Sequence, residues 1–186
     1  LLDTPYFHDV LDACLPALVR AIRHNFALLS IPQYFLAISG LSRHFSSILA
    51  RFLCDRLSVL GEADELDAAI HLRLFKLLFL AVSVYPDENE PVLQPHVADM
   101  IMSCLRGHGR AHHPTNYFYL LRSLFRSIGG GRFESLYKEV LPLLQVILEE
   151  LNRLIFERSG ECNGLVSGGK PSDNDHLRDL YVELCL

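Results

Sequence analysis

The 186-residue chain has no tryptophan, two methionines and no two cysteines close enough to make a CxxC pair. Its five cysteines, Cys14, Cys54, Cys104, Cys162 and Cys185, are scattered. That spacing argues against a structural zinc site and against a dense disulfide framework. Four of the five fall inside apolar helical patterns, where a free thiol behaves as a small hydrophobe. With no secretory leader in view, a reducing intracellular compartment is the expectation. A long apolar run is also missing. The most apolar stretch, Leu74 to Val84, contains Lys76, follows Arg73, and is too short to span a bilayer as a helix. Positive charge is not in excess either. The formal net charge is −5, which leaves no general electrostatic footprint for nucleic acid. Strand signals are absent: no apolar–polar alternation and no hairpin dipeptide between β-branched runs.

What the chain does have is helical periodicity throughout. Half of its residues are hydrophobic and 21% are charged. That suffices for one domain with a real core, and exceeds slightly what a free-standing domain needs. The excess suggests faces covered by other protein. The chain begins Leu1-Leu2 without methionine and ends in VELCL, so it is expected to be a piece of a longer polypeptide.

The organising stretch is Pro114 to Phe156. Tyr117, Leu120, Leu121, Leu124, Phe125 and Ile128 recur at three- and four-residue spacing, one face of a helix. Gly129, Gly130 and Gly131 are expected to stop it in the left-handed conformation common at helix ends. Leu136, Val140, Leu143, Leu144, Ile147, Leu151, Leu154 and Ile155 form a second stripe, expected to fold back as an antiparallel hairpin.

Earlier in the chain two more units read the same way. The first spans residues 4–60. Pro5 opens a helix with the stripe Phe7, Val10, Leu11, Cys14, Leu18, Ile22 and Phe26, and Pro16 should kink or break it. Ser30-Ile31-Pro32 reads as the turn. Tyr34, Phe35 and Ile38 then form a short helix that Gly40 interrupts. Phe45, Ile48, Leu49, Phe52, Leu53, Leu57 and Leu60 make a longer one, closed by Gly61 as a C-cap. The second unit spans residues 64–109. Asp64 is its N-cap, and Leu66 to Val82 is apolar nearly all round, as a helix buried between neighbours is. Tyr85 to Asn89 reads as the turn, with Pro91 and Pro95 in the first turns of the next helix. Val97, Ile101, Cys104 and Leu105 give that helix its stripe, and Gly107 and Gly109 its end. The third unit is 114–156. Residues 157–173, rich in Gly and Ser, read as a mobile loop. Residues 174–186 read as a helix beginning a partial fourth unit, with Leu177, Leu180, Tyr181 and Leu184 as its stripe. About three and a half helix pairs, against ~40–47 residues for HEAT or armadillo repeats, predict an all-α, HEAT/armadillo-like α-solenoid of antiparallel helix pairs. A four-helix bundle is the competing architecture.

Chemistry-bearing groups are sparse. Cys104, His108, His112 and His113 lie close in sequence, but no second cysteine pair completes a zinc spacing, and a polar His-rich helix end accounts for them. The glycine run before Arg132 lacks the GxxxxGK[ST] pattern and a preceding strand, so it reads as a helix terminator rather than a phosphate loop. Asp64, Glu65 and Asp67 sit where carboxylates stabilise a helix start. No nucleophile–base pair is in view, so no catalytic, metal or cofactor site is expected. Arg122, Arg126 and Arg132 are the candidate partner-binding residues. Arg122 and Arg126 are i, i+4 neighbours, and pairing with Glu134 and Glu139 is the default expectation for these charges.

The run NYFYLLRSLFRSIGGGRFESLYKEVLPLL, Asn116 to Leu144, resembles the TRRAP family of transcriptional coactivators and their fungal counterparts. HLRLFKLLFLAVSVYPDENEPVLQPH (His71 to His96), LRDLYVELCL (Leu177 to Leu186) and, more weakly, TPYFHDVL (Thr4 to Leu11) extend the similarity over most of the chain. The resemblance implies a segment of that family's helical-repeat solenoid and no catalytic activity in these residues. It also implies a nuclear scaffold of SAGA-type and NuA-type histone acetyltransferase complexes, whose partners are other complex subunits and transcription activators. The family is similar to the phosphatidylinositol-3-kinase-related kinases but has an inactive kinase-like region, which would lie outside this segment. The alternative is a generic HEAT or armadillo adaptor. Such an adaptor would show an Asn or Trp ladder on an inner surface, and this chain shows none.

Overall fold

Asp64 illustrates how the chain starts its helices. Its carboxylate accepts the backbone N–H of Asp67 at 2.8 Å, and Glu65 and Asp67 add negative charge in the same first turn. Elsewhere Asn25 stops the first helix and caps a 3-10 turn at Phe26–Leu29, its Oδ1 accepting the N–H of Ala27 at 3.0 Å. The structure, a computed structural model, describes residues 4–129 and 132–162.

The described residues form eight α-helices and four short 3-10 turns, with no strand. Helices α1 (Thr4–His24), α2 (Ser30–Leu36) and α3 (Ser42–Cys54) come first. They are followed by α4 (Glu65–Val84), α5 (Pro86–Gly107), α6 (Thr115–Ile128), α7 (Glu134–Val140) and α8 (Leu144–Cys162). Alternate helices lie side by side. α2, α4 and α6 make one layer, α3, α5 and α7 the other, and from α2 to α6 each helix also packs on the next across the two. α1 lies against α3 and α4. This is the two-layer arrangement of an α-solenoid, in which each repeat buries its apolar face on its neighbours. The core runs through both layers without a break. Ile48, Leu49 and Leu53 of α3, Leu74 and Leu78 of α4, Val97 and Ile101 of α5, and Phe118 and Leu121 of α6 have no exposed surface. Each such side chain contributes about 1.5–3 kcal/mol relative to exposure.

Polar side chains at the start of α5 tie the units together. Glu88 accepts from Ser39 Oγ at 2.9 Å and from the Gly40 N–H at 3.3 Å. Buried Asn89 donates through Nδ2 to Ser42 Oγ at 2.9 Å and to the Ala81 carbonyl at 3.0 Å. Glu90 accepts the N–H of Ser135 at 3.1 Å and its hydroxyl. Tyr117 supplies the apolar counterpart. Its ring sits between Gly107 and Gly61, and its hydroxyl donates to the Ser58 carbonyl at 3.3 Å. A Cβ on Gly61 would lie 2.7 Å from that ring and 2.4 Å from the Ala111 Cβ. Gly61 is therefore required by close packing, not by the helix-capping conformation expected of it.

Several expectations need correcting. α1 runs unbroken through Pro16, and its buried face is rotated from the expected stripe. Leu15 and Ile22 are buried and Leu11, Leu18 and Val19 partly so, while Val10, Cys14 and Phe26 are exposed. The face is set by where α3 and α4 lie, which periodicity alone does not fix. Ser30 to Pro32 are the first turn of α2, with Pro32 buried, not a loop. The turn between α4 and α5 is Tyr85 alone, because Pro86 is pre-set for the first helical position. The second segment of the central stretch is not one helix. Pro142 splits it into α7, a 3-10 turn at Leu141–Leu143, and α8, since a proline lacks the N–H and clashes with the preceding turn. α6 does end at Ile128, but Gly129 adopts φ −58° and ψ 147°, not the left-handed region. Residues 157–162 of the expected loop continue α8. The rest of that loop, the helix expected over 174–186, Gly130 and Gly131 lie outside the described residues.

Candidate partner-binding groove

α6 buries Tyr117, Leu120, Leu121, Leu124 and Ile128. Arg122 and Arg126, one turn apart, are left towards the outside; Arg126 is exposed and Arg122 half-buried. α4 runs beside it in the same layer. Its Ile70, Leu74, Phe75 and Leu78 face inward, and Arg73, Lys76 and Leu80 are exposed. The two helices thus form a groove of ≈ 330 Å³ lined by Leu72, Arg73, Lys76, Tyr119, Arg122, Ser123, Arg126 and Ser127. A second depression of ≈ 570 Å³ shares Arg73, Lys76 and Ser127 and adds Leu29, Gln33, Leu77, Leu80 and Ser83. Among the described residues, the lining of neither includes an aspartate or glutamate.

The groove thus gathers basic side chains on a chain of net charge −5. Four positive side chains come from two helices, and an apolar stretch adjoins them in which Leu80 is 52% exposed. The Arg73 guanidinium is 5.5 Å from the Phe26 ring centroid, which helps hold its position. Ser127 donates its hydroxyl to the Ser123 carbonyl at 2.8 Å, keeping its oxygen able to accept or be contacted at the groove wall. Chemically, the arrangement suits a ligand with an anionic part and an apolar part a few residues apart.

The expected site residues divide. Arg122 and Arg126 line the groove, whereas Arg132, in the turn before α7, is exposed and is not part of its lining. Of the two carboxylates expected to pair with them, Glu134 is held by Lys138 at 2.9 Å, which keeps its carboxyl below the usual range. Glu139 accepts from Gln94 Nε2 at 3.0 Å. Sequence reasoning missed Arg73 and Lys76 as groove residues. Their signal was available: two charges three residues apart within a largely apolar helix mark a strip of it that reaches water. What could not be read was that this strip faces Arg122 and Arg126.

The other chemical candidates are placed separately. Cys104 is fully buried, and burial pushes its thiol well up, as it pushes that of Cys54 to about 12. His108 packs against Phe118 at 5.5 Å, with Nδ1 2.5 Å from the Leu105 carbonyl and Nε2 3.3 Å from Glu150. His112 is exposed and 3.4 Å from Glu62, and His113 is exposed, its backbone N–H donating to the Gly61 carbonyl. The Gly129 N–H, one of those a phosphate loop would use, donates to the Phe125 carbonyl at 2.8 Å. A further cleft of ≈ 520 Å³ opens between α1, α3 and α4. Its charges largely satisfy one another: Arg23 grips Asp64 through two hydrogen bonds of 3.1 and 2.7 Å and also pairs with Asp67. The Arg23 contact is the main reason the Asp64 carboxyl is lowered to about 2. No helix among the described residues is long and apolar enough to cross a membrane.

Known proteins resemble the chain along its whole length. It is 40% identical over 185 residues to the Saccharomyces cerevisiae protein named SAGA complex/NuA4 acetyltransferase complex subunit TRA1, covering all of this chain and 5% of that protein. It is 41% identical over 180 residues to the Homo sapiens Transformation/transcription domain-associated protein, covering 97% of this chain and 4% of that one. With the Drosophila melanogaster Transcription-associated protein 1 it shares 38% identity over 186 residues, again 4% of the relative. The chain thus spans about a twentieth of the length of these relatives. The family model described as Tra1 HEAT repeat central region matches residues 1–186, so the two-layer helical array has its explanation: the chain belongs to the Tra1 HEAT repeat central region family.

Proposed function

We propose that this chain is a non-catalytic scaffold segment of a nuclear transcription coactivator. Its parent would act as a subunit of SAGA-type and NuA-type histone acetyltransferase complexes and bring them to promoters by receiving transcription activators. The names of the relatives support the setting: the yeast proteins are described as subunits of the SAGA and NuA4 complexes. The observation that carries the binding role is the groove between α4 and α6, with Arg73, Lys76, Arg122 and Arg126 beside exposed Leu80. An acidic amphipathic segment would lay its apolar residues along Leu77 and Leu80 and its carboxylates towards the four cations. The chain's net charge of −5 disfavours long polyanions.

A fluorescence-anisotropy titration with an acidic amphipathic peptide tests this reading. Saturable binding is expected, weakened at least about tenfold by Arg122→Glu/Arg126→Glu, because two attractive contacts become repulsive. Arg132→Glu, outside the groove, should change affinity less than about twofold, since a rim charge mainly alters association rate. Equal affinity of the wild type and the double variant, with helicity unchanged by circular dichroism, would overturn the groove as the docking surface.

A further inference from the structure

The cleft of ≈ 520 Å³ between α1, α3 and α4 is lined by Arg20, Arg23 and Arg56, and their situations differ. Arg23 is taken up by Asp64 and Asp67. Glu62, also in the lining, accepts the His112 N–H at 3.2 Å. Arg20 is exposed and Arg56 half-buried, and among the described residues neither forms an ion pair. Arg56 is nevertheless held in place. Its guanidinium carbon lies 3.7 Å from the Phe52 ring centroid, and its Nη1 donates to the Phe52 carbonyl at 3.0 Å. That leaves the Nε–Nη2 edge of the fork, whose two parallel donors match the two oxygens of a carboxylate. A guanidinium already fixed loses little freedom when it binds. His71 adds a second unfilled position. Its Nδ1 is 2.7 Å from the Asp67 carbonyl and so carries the proton. Nε2 is then an acceptor, buried and with no donor among the described residues. Pro16, Val19 and Val59 give the cleft its apolar wall, Val59 being 53% exposed.

We infer that this cleft takes the free C-terminal residue of a partner polypeptide, one with an apolar side chain. Three groups on a single Cα then meet three features of the cleft. The carboxylate goes to Arg56 and Arg20, the side chain to Val19 and Val59, and the backbone N–H to His71 Nε2. An aspartate or glutamate within a chain fits less well. Its carboxylate stands one or two methylenes from the backbone, and a second length of chain must leave the cleft. A phosphate group would bring about −1.5 to −2 charges beside Glu62, Asp64 and Asp67, more repulsion than a carboxylate meets. Among the described residues the cleft shares no lining with the α4–α6 groove, so the inference is independent of the docking reading above.

The test titrates the 186-residue chain with three fluorescent peptides of neutral sequence, labelled at the N-terminus. One ends in leucine with a free carboxylate, one is the same peptide amidated, and one is amidated with a glutamate placed before the leucine. The free acid should bind at least about tenfold tighter than the amide, as expected for a pair of charge-assisted hydrogen bonds. The glutamate peptide should fall between them. Arg20→Gln and Arg56→Gln, each checked for helicity, should each remove most of the preference for the free acid. Arg20 is exposed, so its variant keeps the test open if Arg56→Gln fails to fold. Arg43→Gln, exposed on α3 and outside the cleft lining, should leave the preference intact. Equal binding of acid and amide, or no binding of either, would overturn the inference. So would full preference for the acid in a folded Arg20→Gln and Arg56→Gln. Tightest binding by the glutamate peptide would also overturn it, by assigning the cleft to an internal acidic side chain.

Discussion

Tyr117 and its two glycine neighbours show how much a single residue can carry in this protein. The ring occupies the space that a side chain on Gly61 or Gly107 would need, with a Cβ at either position 2.7 Å from it. Gly61→Ala and Gly107→Ala should each cost about 1–3 kcal/mol, the usual range for overpacking, in urea unfolding. Gly109→Ala, where nothing lies within 4 Å of the added carbon, should be near neutral. From sequence these glycines read as helix terminators, because the ring they accommodate is 56 and 10 residues away in the chain. Asp64 makes a second, pH-dependent case. Its carboxyl is lowered from 3.8 to about 2, first by Arg23 and then by the Asp67 N–H. A depressed acid favours the folded state above its unfolded pKa, and that favour disappears as pH falls through the folded value. Wild-type stability should therefore decline between about pH 4 and pH 2, and Asp64→Asn should show a shallower decline in that window by thermal unfolding.

At the scale of the element, composition foretold helices well and their breaks poorly. α4 starts from Asp64 as its N-cap, as the capping signal indicates, since that is a local hydrogen-bonding rule, whereas α6 ends at Ile128 without the left-handed glycine expected there. Proline was the ambiguous letter. Pro142 splits α7 from α8, while Pro16 in α1 and Pro91 and Pro95 in α5 lie inside continuous helices. The same residue gives opposite outcomes because surrounding packing either does or does not repay the lost hydrogen bond. Pro95 is exposed, so little packing depends on its ring. Pro95→Ala should restore a helical hydrogen bond and raise the unfolding midpoint. The gain should be about 1–2 kcal/mol, once the stiffer unfolded chain of the proline form is set against the ~3 kcal/mol cost of an interior proline.

For the whole molecule, cohesion between units rests on a few polar contacts added to a continuous apolar core. Asn89 joins Ser42 of α3 to the Ala81 carbonyl of α4, while Glu88 and Glu90 on either side reach the α2–α3 turn and α7. Asn89→Ala should cost about 1–3 kcal/mol, the penalty for leaving buried partners unpaired. It should also broaden the urea transition, since a solenoid is held by nearest-neighbour interfaces that can part separately. By itself the sequence determined the all-α class and most of the buried residues of α3 to α6, because helical periodicity and caps are local properties of the chain. It also carried the resemblance that the family match bears out. Only the tertiary structure decided which face of α1 is buried, why Gly61 and Gly107 are glycines, and that Arg73 and Lys76 share a groove with Arg122 and Arg126 while Arg132 does not. Those facts depend on how far each helix is rotated and which helices are neighbours, and these are set by side-chain packing between units dozens of residues apart.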